Sequence, residues 1–433
     1  MDVFTSSFVI LGFLIFFLGS TVWIGISLFI IGILAFMFFT GSPPLTILSN
    51  VLWNNASNST MIALPLFIFM GEIFFRSNIS QNLFKGLSPW LEIIPGRLVH
   101  VNIVASALFA AVSGSSAATT ATVGKITIPE LLKRNYSRSL SIGSLAGAGT
   151  LGFLIPPSML MIVYGIVSNV SIGKLFVGGL IPGFMLAVAF SGFVFLRCLL
   201  DPELAPRGDH KYTWNERIKA IPLVLPVIIL IIMVLGSLYA GWATPTEAAS
   251  VGVLGSLLFA VISRSIDLKS FWEAVLSSMR TSCMIMLIVC GASFLSVAVG
   301  YIGIPAQLTE FVGTLGLSKY ALIAILTILY ILLGCMLDGF SIIVMSLPLA
   351  MPLILAAGFD PLWFGIYLVI MIEISQITPP IGFNLFVIKG LVNDDILTIA
   401  KYALPSFLLM LVIAAIITIY PNIVLVLPNY MIK

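Results

Sequence analysis

The stretch 149-GTLGFLIPPSML-160 places two adjacent prolines, Pro156 and Pro157, inside an apolar segment long enough to help span a bilayer. Proline removes a backbone donor and clashes with the preceding turn, at a cost of about 3 kcal/mol in a helix interior. In hydrocarbon, no water can replace the lost hydrogen bond. A membrane helix that breaks at this point therefore needs a functional reason.

The chain around this stretch has the composition of a helical membrane protein. Of its 433 residues, 60% are hydrophobic and 9% are charged, whereas a soluble domain carries about 25% charged residues. The net charge is +3, but the basic residues do not form a stripe interleaved with aromatic residues. We therefore expect no nucleic-acid partner. Apolar runs recur at the length that a lipid bilayer requires. The predicted spans are residues 4–20, 22–40, 61–76, 137–168, 175–197, 221–241, 244–263, 275–300, 361–390 and 396–420.

The distribution of lysine and arginine predicts the orientation of these spans, because basic residues collect on the cytoplasmic side. Two apolar stretches, 98–131 and 319–358, are too long for one crossing, and each begins and ends on the same side. Each therefore predicts a re-entrant hairpin, with tips at SGSS (113–116) and LDGF (337–340). We predict an all-α polytopic fold with about ten transmembrane helices, two hairpins and both termini in the periplasm. The basic clusters lie at 76–97, 133–138, 197–219 and 264–269.

Prolines also reveal an internal repeat. Three sets of prolines recur with an offset of 223 residues: Pro129 and Pro352, Pro156-Pro157 and Pro379-Pro380, and Pro182 and Pro405. The two copies are an odd number of crossings apart, so the second is inverted with respect to the first. Inverted repeats with broken helices are the architecture of secondary transporters, which bind their substrate at the midplane between the halves.

The double prolines predict helix breaks, the first from near Gly149 to about Ser158 and the second from near Glu373 to just after Pro380. A break leaves free carbonyls, which suit a cation, and free N–H groups, which suit an anion. Hydroxyl and carboxylate oxygens at the hairpin tips suit sodium, a hard cation. We predict sodium ligands at Ser113, Gly114, Ser115, Gly149, Thr150, Gly152, Asp338, Gly339, Glu373, Gln376 and Thr378. We predict substrate contacts at Ser116, Ser158, Asp338, Gly382 and Asn384.

Other interpretations of these residues remain open. Small hydroxyl residues also allow close helix packing in membranes, and Glu373 is equally well explained as a buried hydrogen-bond partner. An ion channel could use the same hairpins. An intramembrane enzyme is disfavoured, because the only histidines are His100 and His210 and no HExxH motif occurs.

The chain resembles the large membrane subunit of tripartite ATP-independent periplasmic (TRAP) transporters, most closely those that move sialic acid. The motifs that carry the resemblance are SGSSAATTATVG, IPELL, GTLGFLIPPS, LDGFS and ITPPIGFN. The resemblance implies a bacterial inner-membrane protein that works by an elevator mechanism, driven by sodium. It implies two partners, a small four-helix membrane subunit and a periplasmic binding protein that delivers a small carboxylate. It also implies four parts: scaffold helices (1–76), a first transport repeat (77–199), a linker with scaffold helices (200–300) and a second transport repeat with the last helix (301–433).

The energetics of anion uptake predict how many sodium ions are needed. A membrane potential of 100 mV opposes a monovalent anion by about 2.3 kcal/mol. One sodium ion cancels this and adds only about 1.4 kcal/mol from a tenfold gradient. Two sodium ions leave a surplus of roughly 5 kcal/mol, enough for more than a thousandfold accumulation. We therefore expect at least two sodium ions per substrate molecule. The expected substrate is sialic acid, and a C4-dicarboxylate or another organic acid is the alternative.

Overall fold

A computed structural model describes residues 3–19, 22–206, 212–335 and 337–430, and the secondary structure of this part of the chain is helical. The first half contains α1 (Val3–Gly19), α2 (Ile24–Ala35), α3 (Pro44–Ala56), α4 (Ala63–Arg76), α5 (Ile79–Leu91), α6 (Val99–Ser113), α7 (Ser116–Lys133), α8 (Arg138–Leu154), α9 (Met159–Ser168) and α10 (Ile172–Leu200). The second half contains α11 (Trp214–Tyr239), α12 (Pro245–Ile262), α13 (Leu268–Ile302), α14 (Ile304–Thr314), α15 (Lys319–Gly334), α16 (Gly339–Ala356), α17 (Pro361–Gln376), α18 (Phe383–Lys389), α19 (Ile396–Ile419) and α20 (Asn422–Tyr430).

Eight helical segments within the described residues are long and apolar enough to cross a membrane. Seven of them coincide with predicted spans, and the eighth is α16, the second helix of the second hairpin. The other three predicted spans, 4–20, 22–40 and 361–390, contain shorter apolar helices. The fold is therefore an all-helical membrane architecture.

The internal repeat is visible in the helix boundaries. Adding 223 to the bounds of α7 gives the bounds of α16, and the same offset places α8, α9 and α10 within a few residues of α17, α18 and α19. Contacts between the two halves are also symmetric, because equivalent helices of each half pack on equivalent helices of the other. Helix α7 packs against α18 and α16 against α9, while α8 packs against α19 and α17 against α10. Such reciprocal pairing is the contact pattern of a pseudo-twofold axis.

The two broken helices run in opposite directions. The ends of α8 and α17 meet, since Phe153 N donates to Glu373 Oε1 over 2.8 Å. The start of α17 lies beside α9, beyond the first break, because Tyr164 Oη donates to Pro361 O over 2.5 Å. Helices α8 and α17 thus approach the centre of the protein from opposite sides. This geometry is that of an inverted repeat.

The broken helices also form the centre of the core. Every residue from Leu140 to Leu154 in α8 is buried, as is every residue from Leu362 to Gln376 in α17. A helix that is apolar and buried all round packs against protein on every side. The two breaks therefore lie in the most enclosed part of the molecule.

The predicted breaks begin too early in both halves. Helix α8 continues to Leu154, past Gly149, and α17 continues to Gln376, past Glu373. The glycines of α8 serve close packing and leave the helix intact. A Cβ on Gly143, for example, would collide with the backbone carbonyl of Tyr402 in α19. The breaks themselves are residues 155–158 and 377–382. Four predicted ligands, at positions 149, 150, 152 and 373, consequently lie near the ends of intact half-helices.

Four short helices, α3, α5, α14 and α20, lie where the sequence predicted connections or nothing regular. Each has at most 13 residues, too few for a recognisable span. Helices α5 and α14 begin at Ile79 and Ile304, positions 225 residues apart that match between the repeats. In α3 no residue is buried, and Leu45 and Trp53 are mostly exposed.

Candidate functional site

The first hairpin tip is a tight turn between α6 and α7. Gly114 caps α6 with a φ of +60°, a conformation that glycine adopts without a Cβ penalty. Ser115 then caps α7, its Oγ accepting a hydrogen bond from Ala118 N over 3.4 Å. Ser113 Oγ lies 3.0 Å from Thr119 Oγ1. The predicted sodium ligands of this tip thus shape the turn itself.

This tip lies against the first broken helix. Met159 N, at the start of α9, donates to Gly114 O over 3.3 Å. Ser116 Oγ lies 3.3 Å from Thr150 O. A Cβ on Gly152 would come within 2.5 Å of Ser116 N and Cα. The structure therefore brings the first tip together with the end of α8 and the start of α9.

The second tip is organised around Asp338. Its carboxylate caps α16, accepting hydrogen bonds from Phe340 N over 3.0 Å and Ser341 N over 3.3 Å. The Ser341 hydroxyl donates to the same carboxylate. Capping gives this acidic residue a structural role in α16.

The second tip contacts the second break through the end of α15. Cys335 Sγ donates to Pro379 O over 3.2 Å, and Gly334 packs against the side chain of Ser375. Within the break, Thr378 O accepts from Gly382 N over 3.0 Å. The contact through Cys335 was not predicted, because the sequence shows this residue only as one apolar cysteine among four.

Glu373 connects the two halves at the point where α8 and α17 meet. Its Oε1 accepts from Ser116 Oγ over 2.5 Å and from Phe153 N over 2.8 Å. The residue is 1% exposed, and Oε2 has no hydrogen-bond partner among the described residues. One carboxylate therefore holds the first tip to the end of α8 and leaves a second oxygen available in a buried site.

Three of the predicted substrate residues, Ser158, Gly382 and Asn384, lie in or next to the breaks. Ser158 caps α9, its Oγ accepting from Met161 N over 3.3 Å, and Gly382 occupies the cap position of α18. Asn384 is fully buried, and its amide N and O both lack a partner in the described part of the chain. Thr120, which the sequence did not single out, packs on Gly149, and its buried hydroxyl has no partner within the described ranges. Gln376 and Gly339 lie at the end of α17 and the start of α16.

Replacing Glu373 tests the link between the halves. We expect Glu373→Ala to lower the free energy of unfolding by about 1–3 kcal/mol, because the Ser116 hydroxyl and the Phe153 amide lose their acceptor. Glu373→Gln keeps an acceptor oxygen and is expected to retain most of the stability. Thermal unfolding of the purified protein in detergent measures both. Equal stability of the alanine and glutamine variants would show that the bonds to Oε1 contribute nothing.

The structure contains two inverted repeats, and in each repeat a hairpin tip packs on a broken helix inside an enclosed core. This architecture is that of a membrane transport protein rather than an enzyme. The sequence profile of the DctM component of tripartite ATP-independent periplasmic transporters matches residues 11–423. The chain belongs to this family of TRAP large membrane subunits.

Individual relatives agree with this assignment. A C4-dicarboxylate TRAP transporter large permease from Pseudomonas aeruginosa is 31% identical over 382 residues, covering 88% of both chains. The sialic acid TRAP transporter large permease of Vibrio cholerae is 28% identical over 409 residues, covering 94% of both chains. An isethionate TRAP transporter permease of Oleidesulfovibrio alaskensis is 30% identical over 94% of this chain, which spans only 63% of that longer protein.

A solved structure shows the same type of fold. The YdaH transporter of Alcanivorax borkumensis matches with a TM-score of 0.60 and 13% identity, covering 87% of this chain and 88% of that chain. At this identity, the likeness concerns the fold alone.

Proposed function

We propose that this chain carries a small organic acid into the cell together with at least two sodium ions. The observation that carries the proposal is a buried carboxylate, Glu373, which lies near the end of α17 and bonds both the first tip and the end of α8, while the second tip contacts the second break. Membership of the TRAP family supports secondary transport. The three relatives are named for transport of anions, which supports an acidic substrate here. Sialic acid is our first candidate, and a C4-dicarboxylate is the alternative.

The oxygen atoms around the first tip support sodium as the coupling ion. Glu373 Oε2 and Thr120 Oγ1 are both buried without a hydrogen-bond partner among the residues that the structure describes. The end of α8 provides carbonyl oxygens that lack helical partners. Hard cations favour carboxylate, hydroxyl and carbonyl oxygens. By repeat symmetry, the second sodium ion would lie between the Asp338 tip and the end of α17. Capping leaves the carboxylate of Asp338 with acceptor capacity for an ion.

The substrate would bind on the other side of the breaks. Helices α9 and α18 point their amino-terminal ends at the two breaks, and these ends attract negative charge. The free amide of Asn384 and the hydroxyl of Ser158 can orient a carboxylate or a neighbouring hydroxyl group. Two sodium ions beside one monovalent anion would give the loaded site a net positive charge, so an inside-negative membrane potential would favour its inward movement.

Under this proposal, the chain works in the bacterial inner membrane with a small four-helix subunit and a periplasmic binding protein. The tips and breaks would move together as an elevator against the scaffold. The large exposed apolar side chains of the first helices, such as Trp23 and Phe38, would face lipid or the small subunit.

Reconstitution in liposomes tests the proposal. We expect uptake of labelled sialic acid only when an inward sodium gradient, the binding protein and the small subunit are all present, because under this proposal the gradient drives accumulation and the two partners deliver the substrate and complete the transporter. Replacing sodium by potassium outside should abolish uptake. A channel would instead give single-channel currents in planar bilayers without a sodium gradient or binding protein. That result would overturn the proposal.

A further inference from the structure

A cleft of 770 Å³ opens between α5 and α7, on the flank of the first hairpin. Its lining includes Ser80, Lys85, Thr122, Lys125, Glu130 and Arg134. None of the predicted sodium or substrate residues lines it. Its volume is in the range of small-molecule sites, about 300–1,000 Å³.

The cleft carries an excess of positive charge. Lys85 and Lys125 are exposed, and neither forms an ion pair within the described residues. Arg134 is paired with Glu130, with 2.6 Å between Nη2 and Oε1. The two lysine ammonium groups are therefore not neutralised by the acidic residue of the lining. Opposed lysines in a cleft raise the local concentration of anions.

Two buried hydroxyl groups give this cleft the character of a binding site. Ser80 is 9% exposed and Thr122 is 7% exposed, and both line the cleft. Neither Ser80 Oγ nor Thr122 Oγ1 has a hydrogen-bond partner among the described residues. An unpaired buried hydroxyl costs about 1–3 kcal/mol. A ligand with acceptor oxygens would satisfy both hydroxyls while its charge lies between the lysines.

The position of the cleft connects it to the site at the tip. Lys125 follows Ser116 on the same helix by nine residues, roughly 13.5 Å along the axis. Helix α7 therefore extends from the first tip to the cleft. The helix ends at the basic residues that the positive-inside rule assigns to the cytoplasm.

We propose that this cleft is a second anion site, where the acidic group of the substrate binds after it leaves the tips and before it reaches the cytoplasm. Lys85 and Lys125 hold the carboxylate, and Ser80 and Thr122 donate hydrogen bonds to it. Phe75 and Phe84, which also line the cleft, contact the carbon skeleton. This inference rests on the proposed uptake of an organic acid. Its chemistry would equally suit an anionic lipid headgroup, and the experiment separates the two sources.

The test uses the purified full chain in uncharged detergent without sodium, a condition in which the sodium-dependent site is expected to be weak. Titration calorimetry with sialic acid and with succinate measures anion binding that needs no sodium. We expect such binding in the wild type and at least a tenfold loss of affinity in the Lys85→Met/Lys125→Met variant. The Lys133→Met variant is the matched control, because Lys133 is exposed on the same helix but does not line the cleft. The Lys125→Arg variant should retain binding.

Three results would overturn the inference. The first is the absence of sodium-independent binding of either acid, and the second is binding unaffected by the double methionine variant. The third is binding of phosphatidylglycerol in mixed micelles with no binding of either acid, which would make the cleft a lipid site. A wild type that binds acid in the cleft yet shows no sodium-driven uptake would refute the proposed function and leave the anion site standing.

Discussion

The Gly152→Ala variant is expected to lose sodium-dependent uptake by about tenfold to a hundredfold, which corresponds to about 1.4–2.7 kcal/mol. A Cβ at this position would lie 2.5 Å from Ser116 N and Cα and 2.6 Å from Ser115 C. All three are backbone atoms, so no side-chain rotation can relieve the clash. The first tip must then move away from α8, which separates the Ser116 hydroxyl from Thr150 and Glu373. Uptake into liposomes and the sodium concentration for half-maximal uptake measure the effect.

Gly192→Ala is the matched control for this variant. Gly192 lies in the long helix α10, and a Cβ there would meet no atom within 4 Å. Alanine favours a helix over glycine by about 0.5–1 kcal/mol, so this variant should transport like the wild type. Normal uptake by Gly152→Ala would mean that the contact between tip and helix is unnecessary for transport.

The Asp338→Asn variant is expected to raise the sodium concentration for half-maximal uptake by about tenfold, the equivalent of 1.4 kcal/mol. Asparagine caps helices about as well as aspartate, so α16 keeps its cap and the melting temperature should be unchanged. The substitution removes the negative charge that would bind sodium. Asp338→Ala removes both cap and charge, and should cost about 1 kcal/mol of stability in addition to abolishing uptake.

The comparison of these two variants separates the roles of one carboxylate. Sodium-dependent uptake and thermal unfolding are measured on the same preparations. If Asp338→Asn shows the sodium dependence of the wild type, the carboxylate serves only to cap α16. The second sodium site would then have to be sought elsewhere on this tip.

The repeat and both hairpins could be predicted from the sequence because the effects of proline and of charged residues on membrane helices are unambiguous. Proline interrupts the hydrogen-bond ladder, and basic residues stay on one side. The ends of the half-helices could not be predicted as well. Gly152 falls inside the break that the sequence predicted, but in the structure it belongs to an intact helix and its role is close contact with the first tip. Small residues serve both purposes in membranes, and only the neighbouring helix distinguishes them.

The contacts between distant residues of the candidate site could not be predicted from the sequence. Glu373 was named as a ligand or a hydrogen-bond partner, but its bonds to Ser116 and Phe153 span 257 and 220 residues. Sequence spacing carries no information about such pairs. Thr120 was missed for a related reason, since one threonine among several hydroxyl residues gives no sign of which one is buried without a partner.

The reciprocal packing of α9 on α16 and of α7 on α18 bears on how the protein is made. The partner of α9 begins at Gly339, so it leaves the ribosome roughly 180 residues later, or on the order of 10–40 s at usual synthesis rates. During that interval the face of α9 that packs on α16 has no partner, and the insertion machinery must keep it from the lipid. Truncated chains that stop before α16 should therefore be recognised by membrane quality-control proteases and degraded.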